Sequence, residues 1–306
     1  MSYSPNQPYN QDVAYQLHPT ILEPAEYNTE NGALQLTYRP FQLNSTTYGN
    51  PALLRAMSAV PLAPIAYAAN KYSWKYDSRH KAQAVLPFLH LAPAPIARDA
   101  TYITQNGISM VIAVRSAQMA RAQPKWLDPS RLSSCANLQT ATFDVDSPFD
   151  VIQRIKPILK MMTDHLEART ADRPIQSLTD IGGKILVFCE SGNDRSPILV
   201  AAYLMLVYGL AWHESLNLIH AYRFSVSLSG NMNEMLKTLE GMFRAEADTA
   251  AVFNGIQNQH QTQIGESDHR RGSKRTIDDA YDTDETMTEE NDVSIRTGTA
   301  PFVDAA

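Results

Sequence analysis

Two apolar runs, Lys184–Phe188 (KILVF) and Ser196–Tyr208 (SPILVAAYLMLVY), enclose the polar segment Cys189-Glu190-Ser191-Gly192-Asn193-Asp194-Arg195. The first run has the length and branching of a buried strand. The second is apolar nearly all round and stops at Gly209, so it predicts a buried helix. A strand–loop–helix junction turns successive backbone N–H groups inward, and the helix N-terminus adds partial positive charge. Together they form an anion cradle. A thiolate at the strand end, Cys189, is favoured in such a field. Arg195 stands six residues on and can fold its guanidinium back to grip two oxygens of a tetrahedral oxyanion. Gly192 permits the tight curvature, and the Ser196 hydroxyl is placed to hydrogen-bond the sulfur. Cys-x5-Arg alone is a weak pattern. With Gly192, Ser196 and both apolar flanks in place it becomes a specific one.

The rest of the central region alternates strand and helix signals. Ala84–Leu91 (AVLPFLHL) and Ser109–Arg115 (SMVIAVR) read as strands, with a short helix over Asp99–Asn106 ended by Gly107. Ala141–Asp146 (ATFDVD) alternates polar and apolar residues, as a half-buried strand does. Ser147 is placed as an N-cap with Pro148 at the first helical position. The set Val151, Ile152, Ile155, Ile158, Leu159, Met162 and Leu166 then keeps the helical period, with Pro157 expected to kink it. Glu167–Asp180 is expected to be a polar loop, and His213–Tyr222 and Met232–Phe243 to be two further helices. The pattern predicts an α/β domain: a central mixed or parallel sheet with helices on both faces. Its expected limits are residues 76–246, with a largely disordered N-terminal extension at 1–75 and a disordered acidic tail at 247–306.

The loop resembles that of the dual-specificity protein phosphatases, His-Cys-x-x-Gly-x-x-Arg-Ser, at Cys189, Gly192, Arg195 and Ser196. Gln83–Pro93, Asn106–Arg115, Asp146–Asp150 (DSPFD), Ala201–Leu204 and His213–Arg223 resemble other segments of the family, and Tyr72–Gln83 is similar to a lead-in of fungal members. The resemblance implies hydrolysis of phosphotyrosine, phosphoserine or phosphothreonine in proteins through a phosphocysteine. It implies Cys189 as nucleophile, Arg195 and Ser196 as its partners and Asp146 as general acid, with Asp144 in reserve. The phosphate would be held by Glu190, Ser191, Gly192, Asn193, Asp194 and Arg195. A carboxylate in the capping region of a helix is the other reading of Asp146. Two features depart from the family. Phe188 stands where it has the histidine that supports the cysteine, and Glu190 and Asp194 bring two carboxylates into the loop, their side chains expected to point outward. These departures leave a second reading open, a catalytically weak pseudophosphatase that binds phosphoproteins as a scaffold.

Composition excludes little else. The formal net charge is −6, with 12 acidic against five basic residues from Asp248 onward, so the acidity belongs to the tail. No basic signature of a nucleic-acid binder is present, and no apolar run reaches the ~18 residues of a membrane span. The partner that the resemblance implies is a phosphoprotein; no nucleic acid, membrane or cofactor is expected, and the expected location is the cytoplasm, the nucleus or both. The eight histidines show no paired metal spacing. Cys135 is expected to be an exposed thiol. Arg270-Arg271 and Lys274-Arg275 resemble a nuclear import signal or form a solvated cluster.

Overall fold

A computed structural model describes residues 36, 37, 39, 40, 46–62, 73–132, 138–170 and 174–267. Cys135 and the basic pairs of the tail lie outside these residues. The described elements are α1 (Pro51–Ala59), β1 (Gln83–Leu86), β2 (Leu89–Pro93), α2 (Ala94–Ala97), α3 (Ala100–Gln105), β3 (Met110–Arg115), α4 (Ala117–Ala122), β4 (Gln139–Asp144), α5 (Pro148–Thr170), β5 (Ile185–Cys189), α6 (Ser196–Tyr208), α7 (Trp212–Tyr222) and α8 (Gly230–Ser267). Several short 3-10 turns connect them, among them Tyr76–His80.

The five strands form one mixed sheet in the order β1-β2-β5-β3-β4. β1 is antiparallel to β2, and the remaining neighbours are parallel. The run predicted as one strand over Ala84–Leu91 is a hairpin: Pro87 lacks the N–H that a continuous strand needs, and the chain reverses there.

Side-chain alternation along β5 divides the interior. Ile185, Val187 and Cys189 face a large core shared with α1, α5, α6, α7 and α8. Leu186 and Phe188 face a smaller cluster with Ala92, Ala94, Ala97, Ile103, Val111, Ala113 and Leu127. The expected architecture, helices on both faces of a mixed sheet, is the one observed. α6 is buried along its whole length and ends on Gly209, whose φ is 62°. This is the left-handed conformation that glycine adopts at helix ends.

Helix α5 begins as the sequence predicts. Ser147 Oγ accepts the Asp150 amide at 3.2 Å, while Asp150 Oδ2 accepts the Ser147 and Asp146 amides at 3.0 Å each. Such reciprocal bonds satisfy the free amides at a helix start. The helix continues through Pro157 to Thr170, so the first residues of the expected polar loop are its last turn.

The chain departs from the expected limits at both ends. Residues 46–60, read from their composition as extension, dock on the large core: Tyr48, Leu53, Leu54 and Met57 are buried in it. The Tyr48 ring meets Phe243 edge-on, and its hydroxyl donates to Glu246 at 2.7 Å. At the other end α8 does not stop near Phe243 but runs to Ser267. A helix can propagate beyond its packed face because each added residue contributes one more hydrogen bond, a gain that apolar periodicity does not report.

Candidate functional site

Parallel strands β2, β5, β3 and β4 bring their carboxyl ends to one edge. Cys189 closes β5 there, in register with Pro93, and its side chain is fully buried on the large-core face. The loop that follows is shaped by three contacts. Gly192 has φ 75°, and a Cβ at this position would lie 2.7 Å from the Ala92 carbonyl. Both backbone conformation and space therefore require glycine. The Gly192 amide donates to Cys189 Sγ at 3.1 Å, and Ser196 Oγ donates to it at 3.2 Å. Ser196 is fully buried at the first position of α6, so its hydroxyl is aimed at the sulfur by the helix itself.

Arg223, just beyond α7, is the residue that sequence reasoning missed. It is fully buried, and its guanidinium donates to six acceptors. Four are backbone oxygens at 2.6–2.9 Å: Arg79, Lys81, Ser191 and Gly192. The others are the side-chain oxygens of Asn193 and Gln83. In a trans peptide the C=O and the following N–H point in opposite directions. Holding the Ser191 carbonyl against Arg223 therefore turns the Gly192 amide toward the sulfur. Burial pushes the Arg223 pKa down to about 10, with the nearby Cys189 acting the other way. The guanidinium thus keeps its charge at neutral pH. The only signal in the sequence is a cation placed directly after the apolar face of α7.

The acidic residues of the loop separate. Glu190 is exposed, as expected, and its carbonyl accepts the Ala94 amide at 3.2 Å. Asp194, whose side chain stays half exposed, is the correction. Its carboxylate turns back over the loop, where Oδ1 accepts from Cys189 Sγ at 3.0 Å, from the Arg195 amide at 2.8 Å and from Ser191 Oγ at 3.3 Å. Oδ2 faces Arg195 Nη1 at 3.3 Å. The outward expectation fails because an S–H, a loop amide and a guanidinium lie within reach, and together they compensate the partial desolvation of the carboxylate. Ser191 Oγ also accepts the Asn193 amide at 3.1 Å, while the Asn193 side chain is bound by Arg223 and Ser225. Phe188 makes no contact with the sulfur. It points to the other face, beside Ala92 and Ala113 on the neighbouring strands, whose small side chains leave room for the ring.

Asp146 lies on the same sheet edge, just past the end of β4 and so two strands from Cys189. Its Oδ1 accepts from Ser116 Oγ and its Oδ2 from the Gln118 amide, each at 2.6 Å, and Arg121 stands 3.8 Å away. These bonds tie the end of β4 to the start of α4. Asp144 is committed elsewhere, in a two-pronged pair with Arg115 at 2.7 Å for each bond. The site therefore gathers Cys189, Gly192, Asp194, Arg195 and Ser196 at one point, while Asp146 is held two strands away by Ser116 and Gln118. Among the described residues no cluster of three or more His, Cys, Asp or Glu has metal-binding geometry.

This chain resembles known proteins over the same region. Residues 150–241 match the family model of the dual specificity phosphatase catalytic domain. Serine/threonine/tyrosine-interacting protein A of Xenopus laevis is 25% identical over 210 residues, covering 67% of this chain and 84% of that protein. Dual specificity protein phosphatase 26 of Bos taurus is 36% identical over 75 residues, covering 24% of this chain and 35% of that protein. The crystal structure of the human tyrosine phosphatase-like serine/threonine/tyrosine-interacting protein aligns with a TM-score of 0.43 at 22% identity, over 54% of this chain and 98% of that one. The family-model match places a dual specificity phosphatase catalytic domain at residues 150–241, the segment that holds Cys189 and its loop.

Proposed function

We propose that this domain is a cysteine-dependent phosphoprotein phosphatase. The observation that carries the reading is the pair of donors on Cys189 Sγ, the Gly192 amide and the Ser196 hydroxyl, beneath a loop that ends in Arg195. Those donors stabilise a thiolate. The thiolate attacks phosphorus, the S–P bond forms as the P–O bond to the leaving group breaks, and Arg195 offsets charge on the equatorial oxygens. Asp146 is the candidate to protonate the leaving oxygen. Water then attacks the phosphocysteine, and Ser196 supports the departing sulfur. In the present arrangement Asp146 accepts two hydrogen bonds, so its carboxyl has to turn from Ser116 and Gln118 to present a proton.

A second reading, a phosphoprotein-binding scaffold with little turnover, draws on the Asp194 carboxylate over the sulfur and on the relatives named as interacting proteins. Hydrolysis of an aryl phosphate by the purified chain beside Cys189→Ser separates the two. The phosphatase reading expects turnover that the substitution abolishes while phosphate binding persists. Equal rates in both proteins, or none in either, refute it.

A further inference from the structure

Asp194 has a contact set that the phosphatase reading does not use. Its carboxylate takes the Cys189 S–H, the Arg195 amide, the Arg195 guanidinium and the Ser191 hydroxyl. These are the donor types that a phosphate-binding loop offers a phosphate dianion: an amide, an arginine fork and a hydroxyl beside the nucleophile. Of the two carboxylates in the loop, that of Asp194 is the one that accepts them. Taken with the reading of the loop as a phosphate site, on which this rests, we propose that Asp194 is an internal occupant of the cradle, which a phosphorylated ligand has to displace before it reaches Cys189.

The protonation states fit this arrangement. Burial alone raises the Asp194 pKa, but the hydrogen bonds from Cys189 and the Arg195 amide, with the Arg195 charge, hold it below the usual carboxylate value. The Cys189 S–H donates to that carboxylate at 3.0 Å. Deprotonation of the sulfur in place would set two negative charges side by side. The charged groups facing the pair are Arg195 from the loop and Arg223 from beyond α7, and Arg223 is already committed to six acceptors. Asp194 therefore selects for ligands: a small phosphate has only the loop's donors to set against a carboxylate tethered beside them, whereas a phosphorylated chain brings contacts outside the loop to the exchange.

The test uses the full chain with Asp194→Asn, which removes the charge, and Asp194→Ser, which also removes the reach. Orthophosphate affinity is measured by calorimetry, and iodoacetamide alkylation at neutral pH is followed on the Cys189 peptide by mass spectrometry. Both variants should bind orthophosphate at least about tenfold more tightly than the wild type and alkylate faster. Unchanged or weaker phosphate binding in both overturns the inference. Should either variant misfold, a tungstate-soaked wild-type crystal decides: Asp194 must have left the sulfur, and tungstate bound with that contact intact overturns it. Aryl phosphate turnover, read in parallel, keeps the two readings apart. Tighter binding without turnover in any protein removes the enzyme and leaves Asp194 in its role. Wild-type turnover with unchanged binding does the reverse. Absence of orthophosphate and tungstate binding in every protein removes both.

Discussion

Arg223→Met tests whether the loop is held open from behind. Methionine keeps much of the aliphatic bulk and removes the guanidinium, leaving the carbonyls of Arg79, Lys81, Ser191 and Gly192 and the side-chain oxygens of Asn193 and Gln83 without their donor. A hydrogen bond to a charged group is worth about 1.5–3 kcal/mol, but six bonds from one side chain do not add. Burying the arginine also carries a desolvation penalty that the substitution relieves. Ser191 is exposed and regains water, whereas Gly192 is buried and does not. Removing one partner from a buried charged network costs about 3–5 kcal/mol, and that is the expected loss. For a domain of this size it lowers the thermal midpoint by roughly 10 °C. The assay is thermal unfolding by circular dichroism, with orthophosphate affinity measured at a temperature where the variant is folded. Affinity should fall as well, because nothing then keeps the Gly192 amide turned toward the sulfur. A midpoint within about 2 °C of wild type, less than ~1 kcal/mol in a domain of this size, refutes the clamp. So does a stability loss with phosphate affinity intact.

Burial pushes the pKa of His165 down to about 4, with the Arg169 charge acting the same way. A histidine neutral in the fold and ordinary when unfolded contributes stability that is complete above the unfolded pKa of about 6.5 and is lost as pH falls toward about 4. The thermal midpoint should therefore drop through that window, and His165→Gln should flatten the dependence; an equally steep dependence in the variant refutes the assignment. Met57→Ala, in the segment that composition places outside the domain, should cost about 2–5 kcal/mol in urea unfolding. A loss below ~0.5 kcal/mol would show that α1 contributes nothing to the core.

Much of the site was legible because the chemistry is local in sequence. Cys189, Gly192, Arg195 and Ser196 fall within eight residues of a strand–helix junction, and that spacing is what brings them together. The limits of α6 were legible for a similar reason, since an all-apolar run ending in Gly leaves little choice. Arg223 was not, because its partners lie about 30 and 140 residues away and nothing local distinguishes it from any helix-terminal cation. The direction of Asp194 was hidden because a short loop presents its side chains to either side, and only the folded geometry brings the thiol and the guanidinium within reach. The docking of residues 46–60 was obscured by Asn- and Thr-rich neighbours. Composition averages over a window, while Leu53, Leu54 and Met57 bury one narrow face of a helix nine residues long.

The alternation of β5 has a consequence for how this chain tolerates change in length. Cys189 is the fifth residue of a strand whose odd positions serve one core and whose even positions serve the other. A single-residue insertion or deletion between Ile185 and Val187 would exchange the two sets: the thiol would move to the small cluster, and Phe188 would take its place over α6. A two-residue change would preserve the facing but shift the sulfur relative to the Ser196 hydroxyl by about 7 Å, at ~3.3 Å per residue. Point substitutions from Ile185 to Phe188 therefore leave the facing of Cys189 unchanged, but almost any indel there removes the site.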